Sequence, residues 1–299
     1  MPRSLPDGLA ERLRPHLPGP PEHFEPVGGG CIAGGGRLRV GGQSFFLKRG
    51  AAEVARTFPG EAAGLAALRE AAGDAIRVPE VHAVEGPEAS APGFLLMEWI
   101  PPGGRTDRAF WERFGEGLAA LHRRTSEDGR FGFERDNFIG RLPQANGWEA
   151  SWPVFFREKR LMPQVERARE NGRWRSDWDA PLDALIGQLP EFLPKKPPAS
   201  VLHGDLWGGN FLAGDDGRAV LIDPAAYCGH READLAMSEL FGGFRAPFYE
   251  AYRAAWPLAG GYDEQRRDVY NLYHLVNHLN HFGGGYASQV ERTLRRVAG

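Results

Sequence analysis

The chain has 299 residues, of which 42% are hydrophobic and 25% charged, and a formal net charge of -3, which is an ordinary globular composition. It has no basic excess to favour a nucleic acid or an anionic membrane as a partner, and no apolar run approaches the roughly 20 residues that span a bilayer. Its two cysteines, Cys31 and Cys228, cannot form a disulfide framework, so we expect a cytoplasmic protein.

The first hundred residues combine short strand patterns with a glycine-dense loop at 27–36. Leucines at fourfold spacing predict a helix over residues 5–17, and an Ala/Leu/Glu-rich stretch predicts another at 61–72. Gly41-Gly42 lies between two strand-like runs, which is typical of a hairpin. Strands are predicted at 37–40, 44–49, 81–84 and 94–98.

Beyond residue 104 the pattern becomes mostly helical. Pro-Pro-Gly-Gly at 101–104 interrupts the chain and is the predicted linker. Helices are predicted at 108–124, 153–170, 178–193, 231–241, 246–256, 263–282 and 286–297. Short apolar runs occur at 201–202, 211–213 and 219–222. The sequence therefore predicts an α+β fold of two lobes, with residues 1–100 rich in strands and residues 101–299 mainly helical.

The strongest chemical signal is His-Gly-Asp-Leu-Trp-Gly-Gly-Asn at residues 203–210. Asp205 and Asn210 have the five-residue spacing of the catalytic-loop Asp and Asn of protein kinases, and Asp223 follows a short hairpin as their metal-binding Asp does. Each residue alone is also typical of a turn. Together they predict that Asp205 is the catalytic base and that Asn210 and Asp223 hold Mg²⁺ at the phosphates of ATP.

Lys48 ends the apolar run Phe-Phe-Leu, before the predicted helix that starts with Glu61. A strand Lys that binds the α- and β-phosphates and pairs with a helix Glu is the kinase arrangement. Glu53 and Glu70 are the alternative partners. A lysine at a strand edge can also serve only to block strand pairing.

Two further segments would complete a nucleotide site. Gly28, Gly29 and Gly30 would cover the phosphates with backbone N–H groups. The strand that ends in Met97, Glu98, Trp99 and Ile100 runs into the Pro-Pro interruption, and we expect it to be the hinge that binds the adenine edge. The first lobe would thus bind the nucleotide, and the second would carry the catalytic and substrate site.

At this point the residues resemble the fructosamine (ketosamine) kinase family, within the aminoglycoside/choline phosphotransferase-like group of the protein-kinase-like fold. The resemblance is narrowed by Trp207, two residues after Asp205, and by the stretch from Asp223 to Met237. Asn146-Gly147-Trp148 also agrees with it. The similarity extends from about residue 24 to the last predicted helix.

The resemblance implies ATP-dependent phosphorylation of the sugar 3-hydroxyl of a ketosamine, either a small molecule or protein-bound, in a deglycation repair reaction. Trp207 and His203 would contact the substrate, Trp207 by packing against the sugar. Asp234 is similar to the family Asp that braces the catalytic loop. His230 occupies a position where an acidic residue is expected, and this departure from the family pattern bears on which substrate is bound.

Other functions fit parts of the pattern. Another small-molecule hydroxyl kinase of the same group would have much the same catalytic loop. A pseudokinase that acts as a binding protein is disfavoured, because none of the four key polar residues is lost. A zinc hydrolase is disfavoured because no Glu follows His274 in the His274/His278 pair. We expect a monomer, or a dimer linked through Cys31 under oxidation.

Overall fold

The computed structural model describes residue 5 and residues 7–27, 34–87 and 92–298. Gly28, Gly29, Gly30 and Cys31, which the sequence places in the phosphate-covering loop, therefore lie outside the described residues. None of the helices in the described ranges has the length and apolar character needed to cross a membrane.

The first hundred residues form a sheet and three helices. In chain order these are α1 (Asp7–Leu13), β1 (His23–Pro26), β2 (Gly34–Val40), β3 (Gln43–Gly50), α2 (Ala52–Ala55), α3 (Phe58–Ala71), β4 (Ile76–Arg77), β5 (Val81–Glu85) and β6 (Gly93–Glu98). Five strands make an antiparallel sheet in the order β1-β2-β3-β6-β5. The Gly41-Gly42 turn joins β2 and β3 as predicted, with positive φ at both glycines.

The two faces of this sheet have different neighbours. Side chains alternate between the faces of a strand, so Phe45 and Leu47 of β3 pack into a small core that also includes Leu9 and Leu13 of α1. Phe46 and Lys48 lie on the opposite face, towards the helical part of the chain. The alternation therefore keeps the charged Lys48 side chain out of the small apolar core, although its neighbour Leu47 lies inside that core.

The rest of the chain is mainly helical. Its helices are α4 (Arg108–His122), α5 (Trp152–Phe155), α6 (Met162–Glu170), α7 (Asp179–Phe192), α8 (Glu232–Leu240), α9 (Ala246–Ala255), α10 (Arg267–Phe282) and α11 (Ala287–Ala298). Its strands are β7 (Asn137–Ile139), β8 (Leu142–Gln144), β9 (Ser200–Leu202), β10 (Phe211–Ala213), β11 (Ala219–Leu221) and β12 (Tyr227–Gly229). A π-helical segment, Phe156–Leu161, joins α5 to α6, so the predicted helix at 153–170 is continuous but contains one wide turn.

Helix α4 shows how the local sequence sets an element of this part. Asp107 caps its N-terminus by accepting a hydrogen bond from the Phe110 backbone N–H at 3.0 Å. Phe110, Phe114 and Leu118 form a buried stripe along one face of this helix. Gly115 lies so close to the Phe248 carbonyl of α9 that a side chain would clash. Burial of a side chain such as Phe114 contributes about 1.5–3 kcal/mol.

The two parts of the chain share a small sheet beside the linker. Strand β4 pairs in parallel with β11, and β11 pairs with β10. The backbone N–H groups of Gly103 and Gly104 donate to the Ala213 carbonyl, which attaches the linker to the same hairpin. A strand of only two residues, such as β4, has no sequence pattern of its own. Its contact nevertheless fixes the hairpin that ends just before Asp223.

Candidate active site

A cavity of about 460 Å³ lies between β3, β6 and the loops that follow β9 and β11. Ten of the side chains that the sequence singled out line it, although they come from distant positions. These are Lys48, Glu61, Met97, Glu98, Trp99, Ile100, Asp205, Trp207, Asn210 and Asp223. The fold thus collects the predicted catalytic, metal and nucleotide residues around one space.

The loop at residues 203–210, the predicted catalytic loop, places Asp205 and Asn210 side by side. The Asn210 side-chain nitrogen donates to the Asp205 backbone carbonyl at 2.8 Å and to its carboxylate at 3.0 Å. Burial, together with the charges of Asp223 and Asp234, raises the pKa of Asp205 to about 7 in spite of the hydrogen bond from Asn210. Asp205 is therefore poised to exchange a proton near neutral pH, and the amide oxygen of Asn210 remains for another partner.

A buried carboxylate holds the loop that carries Asp205 in place. Asp234, in the first turn of α8, accepts hydrogen bonds from the backbone N–H groups of His203 at 2.7 Å and Gly204 at 2.9 Å. It also contacts His122 Nε2 at 3.2 Å. Burial opposes ionisation of Asp234, but these hydrogen bonds outweigh it and lower its pKa. The charged Asp234 thus fixes the backbone on which Asp205 sits.

His203 does not reach the cavity, which corrects the prediction that it contacts the substrate. The side chain is fully buried. Its Nε2 donates to the Ile222 carbonyl at 2.9 Å, and its Nδ1 accepts from the Asp205 backbone N–H at 3.2 Å. Both ring nitrogens are therefore used to tie the catalytic loop to the end of β11. Burial lowers the pKa of this imidazole, consistent with a neutral structural residue.

Asp223 has an unusual backbone conformation. Its φ of 55° makes it the single non-glycine residue with positive φ in the described ranges. This conformation costs roughly 1–2 kcal/mol. Neighbouring hydrogen bonds hold it in place, from Ile222 N–H to the Asn210 carbonyl at 3.1 Å and from Ala225 N–H to the His203 carbonyl at 2.9 Å. The strained turn directs the carboxylate into the cavity.

Lys48 lies between two carboxylates. Its Nζ is 2.6 Å from Glu61 Oε1 and 2.5 Å from Asp223 Oδ1. Burial alone would lower the pKa of Lys48, but the charges of Asp223 and Glu61 outweigh this effect and raise it. Of the three candidate partners, Glu61 makes the pair. Glu53 pairs instead with Arg56 on the surface, and Glu70 is exposed.

The oxygen atoms near the strained turn fit a magnesium ion. Asn210 Oδ1 and Asp223 Oδ2 are the free atoms of two side chains whose other polar atoms are occupied by Asp205 and Lys48. Mg²⁺ prefers such hard oxygen ligands and usually completes its coordination with water and substrate phosphates. In the described part of the chain, no cluster of three His, Cys, Asp or Glu side chains could hold a metal by itself.

The cavity has an apolar end next to the linker. Phe46 stacks on Trp99 with ring centroids 6.1 Å apart, and Met97, Ile100 and Val220 complete the wall. The backbone N–H of Glu98 donates to the Glu80 carbonyl at 2.8 Å. The side chain of Glu98 is bound to Arg77. A flat aromatic group that enters here would meet apolar side chains and the backbone beyond Glu98.

The opposite end contains residues that the sequence did not single out as a site. Trp207 is joined there by residues of the β7–β8 hairpin and the C-terminal part of α10, namely Phe138, Ile139, Gly140, Asn277, His278, His281 and Phe282. The sequence offered one signal, the recurring Asn-His pairs at 277–278 and 280–281 in a predicted helix. The fourfold spacing of His274 and His278 resembles a metal pair and does not by itself indicate a place in this cavity.

The family model for fructosamine kinase matches residues 13–298 of the chain. A Synechocystis protein assigned as a ketoamine kinase is 41% identical over 271 residues, which cover 90% of this chain and 88% of that protein. The chloroplastic protein-ribulosamine 3-kinase of Arabidopsis thaliana is 39% identical over 264 residues, covering 88% and 79%.

Solved structures agree with this grouping. A Thermobifida fusca protein assigned as a fructosamine-3-kinase superposes with a TM-score of 0.85 at 31% identity, covering 98% of this chain and 99% of that one. An aminoglycoside phosphotransferase in complex with ADP and hygromycin B has a TM-score of 0.68 at 13% identity over 98% and 99% of the two chains, which shows a shared fold alone. With a family match across nearly its whole length, the chain belongs to the fructosamine kinase family.

Proposed function

We propose that this protein transfers the γ-phosphoryl group of ATP to the sugar 3-hydroxyl of a ketosamine, the first step in removing the sugar from a glycated amine. The single observation that carries the proposal is the convergence of Asp205, Asn210, Asp223 and Lys48 on one cavity in a member of this family. Relatives named ketoamine kinase and protein-ribulosamine 3-kinase support the choice of acceptor.

The phosphate groups would lie beside Lys48 and the strained turn. Lys48 would bind the α- and β-phosphates, with Glu61 holding its ammonium in place. Asn210 Oδ1 and Asp223 Oδ2 would hold Mg²⁺, which when bound neutralises charge on the phosphates. Phosphoryl transfer requires little covalent chemistry from a protein, so positioning and electrostatic stabilisation provide most of the rate.

Asp205 would act as the base that orients and deprotonates the acceptor hydroxyl. A general base is most effective when its pKa is close to the working pH, and burial raises the pKa of Asp205 to about 7. Asn210 holds the carboxylate in one orientation through its 3.0 Å hydrogen bond. A direct hydrogen bond thus links the proposed base, Asp205, to the proposed metal ligand, Asn210.

The adenine ring would occupy the apolar end of the cavity. Because the backbone N–H of Glu98 already donates to Glu80, an N–H donor for the ring would come from Trp99 or Ile100. Met97 would contribute an apolar surface. This assignment narrows the predicted four-residue hinge to its last two residues.

We call the end of the cavity lined by Trp207, Asn277 and His278 the acceptor end, because the acceptor would lie there. Its charge favours a sugar over a polyamine. Of the described side chains that line this end, Asp205 is the sole carboxylate, and the others are aromatic, imidazole or amide groups. A polycationic aminoglycoside would find little negative charge for its ammonium groups. An aromatic ring such as Trp207 provides an apolar face on which a sugar can pack.

A substrate panel tests the proposal. Purified protein would be assayed for ADP release with ribuloselysine, fructoselysine, a glycated protein, several aminoglycosides and several amino alcohols. We expect turnover with the ketosamines and phosphorylation at the 3-hydroxyl by NMR. Turnover confined to aminoglycosides or amino alcohols would replace the acceptor class, whereas ATP-independent binding without any turnover would favour a pseudokinase.

A further inference from the structure

The side-chain amide of Asn277 is the most conspicuous unpaired group at the acceptor end of the cavity. Asn277 is 2% exposed and lines the cavity. Its Nδ2 is buried and has no hydrogen-bond partner in the described part of the chain. A buried polar group left without a partner costs about 1–3 kcal/mol. Because the Asn277 side chain lines the cavity, rotation of its amide towards a bound ligand would remove this cost.

His278, the next residue, presents a defined acceptor. Its Nδ1 lies 2.8 Å from the His274 carbonyl, and a carbonyl can only accept, so Nδ1 carries the proton. Burial lowers the pKa of His278 and favours the neutral ring. The ring lines the cavity, and its Nε2 therefore offers a lone pair rather than an N–H.

Contacts with neighbouring elements hold Asn277 and His278 in position. The His278 ring packs against Phe241 and Tyr286, with centroids 4.5 and 5.2 Å away. One turn further along α10, His281 Nε2 lies 3.1 Å from the Ile139 carbonyl of β7. Phe241 also makes an edge contact with Trp207. The end of α10 is thus held against both the hairpin and the catalytic loop.

The two groups match the chemistry of a polyol. A hydroxyl both donates and accepts, as the Asn277 amide does at its two ends, and a hydroxyl can donate to His278 Nε2. An ammonium group only donates, and a phosphate only accepts. We propose that Asn277 and His278 are specificity-determining residues that bind hydroxyl groups of the acceptor sugar other than the one phosphorylated, an assignment that rests on the proposed ketosamine kinase function.

Kinetics with deoxy substrates test this assignment. For Asn277→Leu we expect kcat/KM with ribulosamine to fall about 10-fold or more, the effect of losing one or two hydrogen bonds. The dissociation constant for ATP should stay within about twofold. With ribulosamines that lack single hydroxyls at C4 or C5, the ratio of wild-type to variant kcat/KM should approach one for at least one analogue.

Two further variants separate recognition from folding. His278→Phe keeps the aromatic packing but removes the acceptor and should reduce kcat/KM, whereas His278→Gln restores an acceptor and should recover part of it. Asn271→Leu makes the same change as Asn277→Leu on the same helix at a buried position outside the cavity lining. It should leave kcat/KM unchanged.

The outcomes distinguish the two levels of the proposal. A wild-type protein that turns over no ketosamine would overturn the proposed function and this assignment with it. Normal ribulosamine turnover by wild type with an unchanged kcat/KM in Asn277→Leu and His278→Phe would overturn the assignment alone. So would an equal loss with the parent sugar and with every deoxy analogue, because a general structural defect does not depend on which hydroxyl is present.

Discussion

Lys48 Nζ lies 2.5 Å from Asp223 Oδ1, although the two residues are 175 positions apart in the chain. The contact crosses the cavity from the sheet to the loop after β11. Because Lys48 also binds Glu61 at 2.6 Å, one ammonium group neutralises two carboxylates. A triphosphate that enters the cavity would therefore meet a Lys that is already oriented and charged.

Replacement of this Lys is the first prediction. We expect Lys48→Met to lower kcat/KM by about 100- to 1000-fold, the usual effect of removing one preorganised electrostatic partner from a reacting centre. The change also leaves Glu61 and Asp223 without a shared cation, so the thermal midpoint should fall. Steady-state kinetics and a thermal melt measure the two effects.

The matched control is Lys196→Met. Lys196 is exposed, and its replacement removes the same charge and adds the same side chain. It should alter kcat/KM by less than twofold. If both variants lost activity equally, the loss would reflect net charge rather than the position of Lys48.

The second prediction concerns Asp205 and combines activity with stability. Asp205→Asn should lower kcat by at least about 100-fold, because the base is lost. In the folded protein the pKa of Asp205 is about 7, against 3.8 for an unperturbed carboxyl. Between these values the folded state binds the extra proton, so the contribution of this one carboxyl to wild-type stability falls as the pH rises from about 4 to 7. The variant lacks this decline.

Asp205→Asn should therefore be more stable than wild type without nucleotide, by roughly 4 kcal/mol at pH 8 and by about 1.5 kcal/mol at pH 5. Urea unfolding at the two pH values measures the difference. Asp215→Asn, in an exposed turn, serves as the control and should show no pH-dependent gain. A variant that is less stable than wild type at pH 8 would contradict the assigned environment of Asp205.

The helices and the longer strands were predictable because their patterns are local. The amphipathic stripe of α4 and the Gly41-Gly42 hairpin fall where their residue types place them. The short strands β4, β7, β8 and β12 were not predicted, since two or three residues carry no period. They are formed by partners elsewhere in the chain, as β4 is by β11.

The candidate site was predictable to the extent that spacing along the chain encodes it. Asp205 and Asn210 share one loop, and Lys48 and Glu61 share one strand-helix unit, so sequence reasoning could pair them. The burial of His203 depends on Asp234 and Ile222, which approach from separate elements. Asn277 reaches the cavity because α10 packs beside the hairpin at Ile139. Neither relationship can be inferred from the spacing of residues along the chain.

The third prediction is that buried histidines lower the free energy of unfolding at acid pH. Burial lowers the pKa of His203 and His230, and of His274 to about 3. As the pH falls below about 6.5, the unfolded chain gains protons that the folded protein refuses, so the free energy of unfolding decreases. Asp205, with its raised pKa, acts in the opposite sense and offsets part of this decrease.

Unfolding in urea at pH 7.5, 6.0 and 5.0 measures this decline. One fully buried imidazole with a pKa of about 3 contributes a loss of about 2 kcal/mol at pH 5. His274→Gln removes one such group and should flatten the decline by a similar amount. The same pH dependence in wild type and His274→Gln would show that this ring is not held neutral.

The fourth prediction is that Gly204 tolerates no side chain. Its φ is 79°, and an added Cβ would overlap the Ala225 carbonyl oxygen. That carbonyl belongs to the loop after Asp223, so relief of the overlap must separate the loop that carries Asp205 from the loop that carries Asp223. We expect Gly204→Ala to lower the free energy of unfolding by about 1–3 kcal/mol and to reduce kcat. Gly187→Ala, in α7 with open space around it, should instead raise stability by about 0.5–1 kcal/mol. Urea unfolding and steady-state kinetics on both variants measure this contrast, and full activity in Gly204→Ala would mean that the two loops are free to separate.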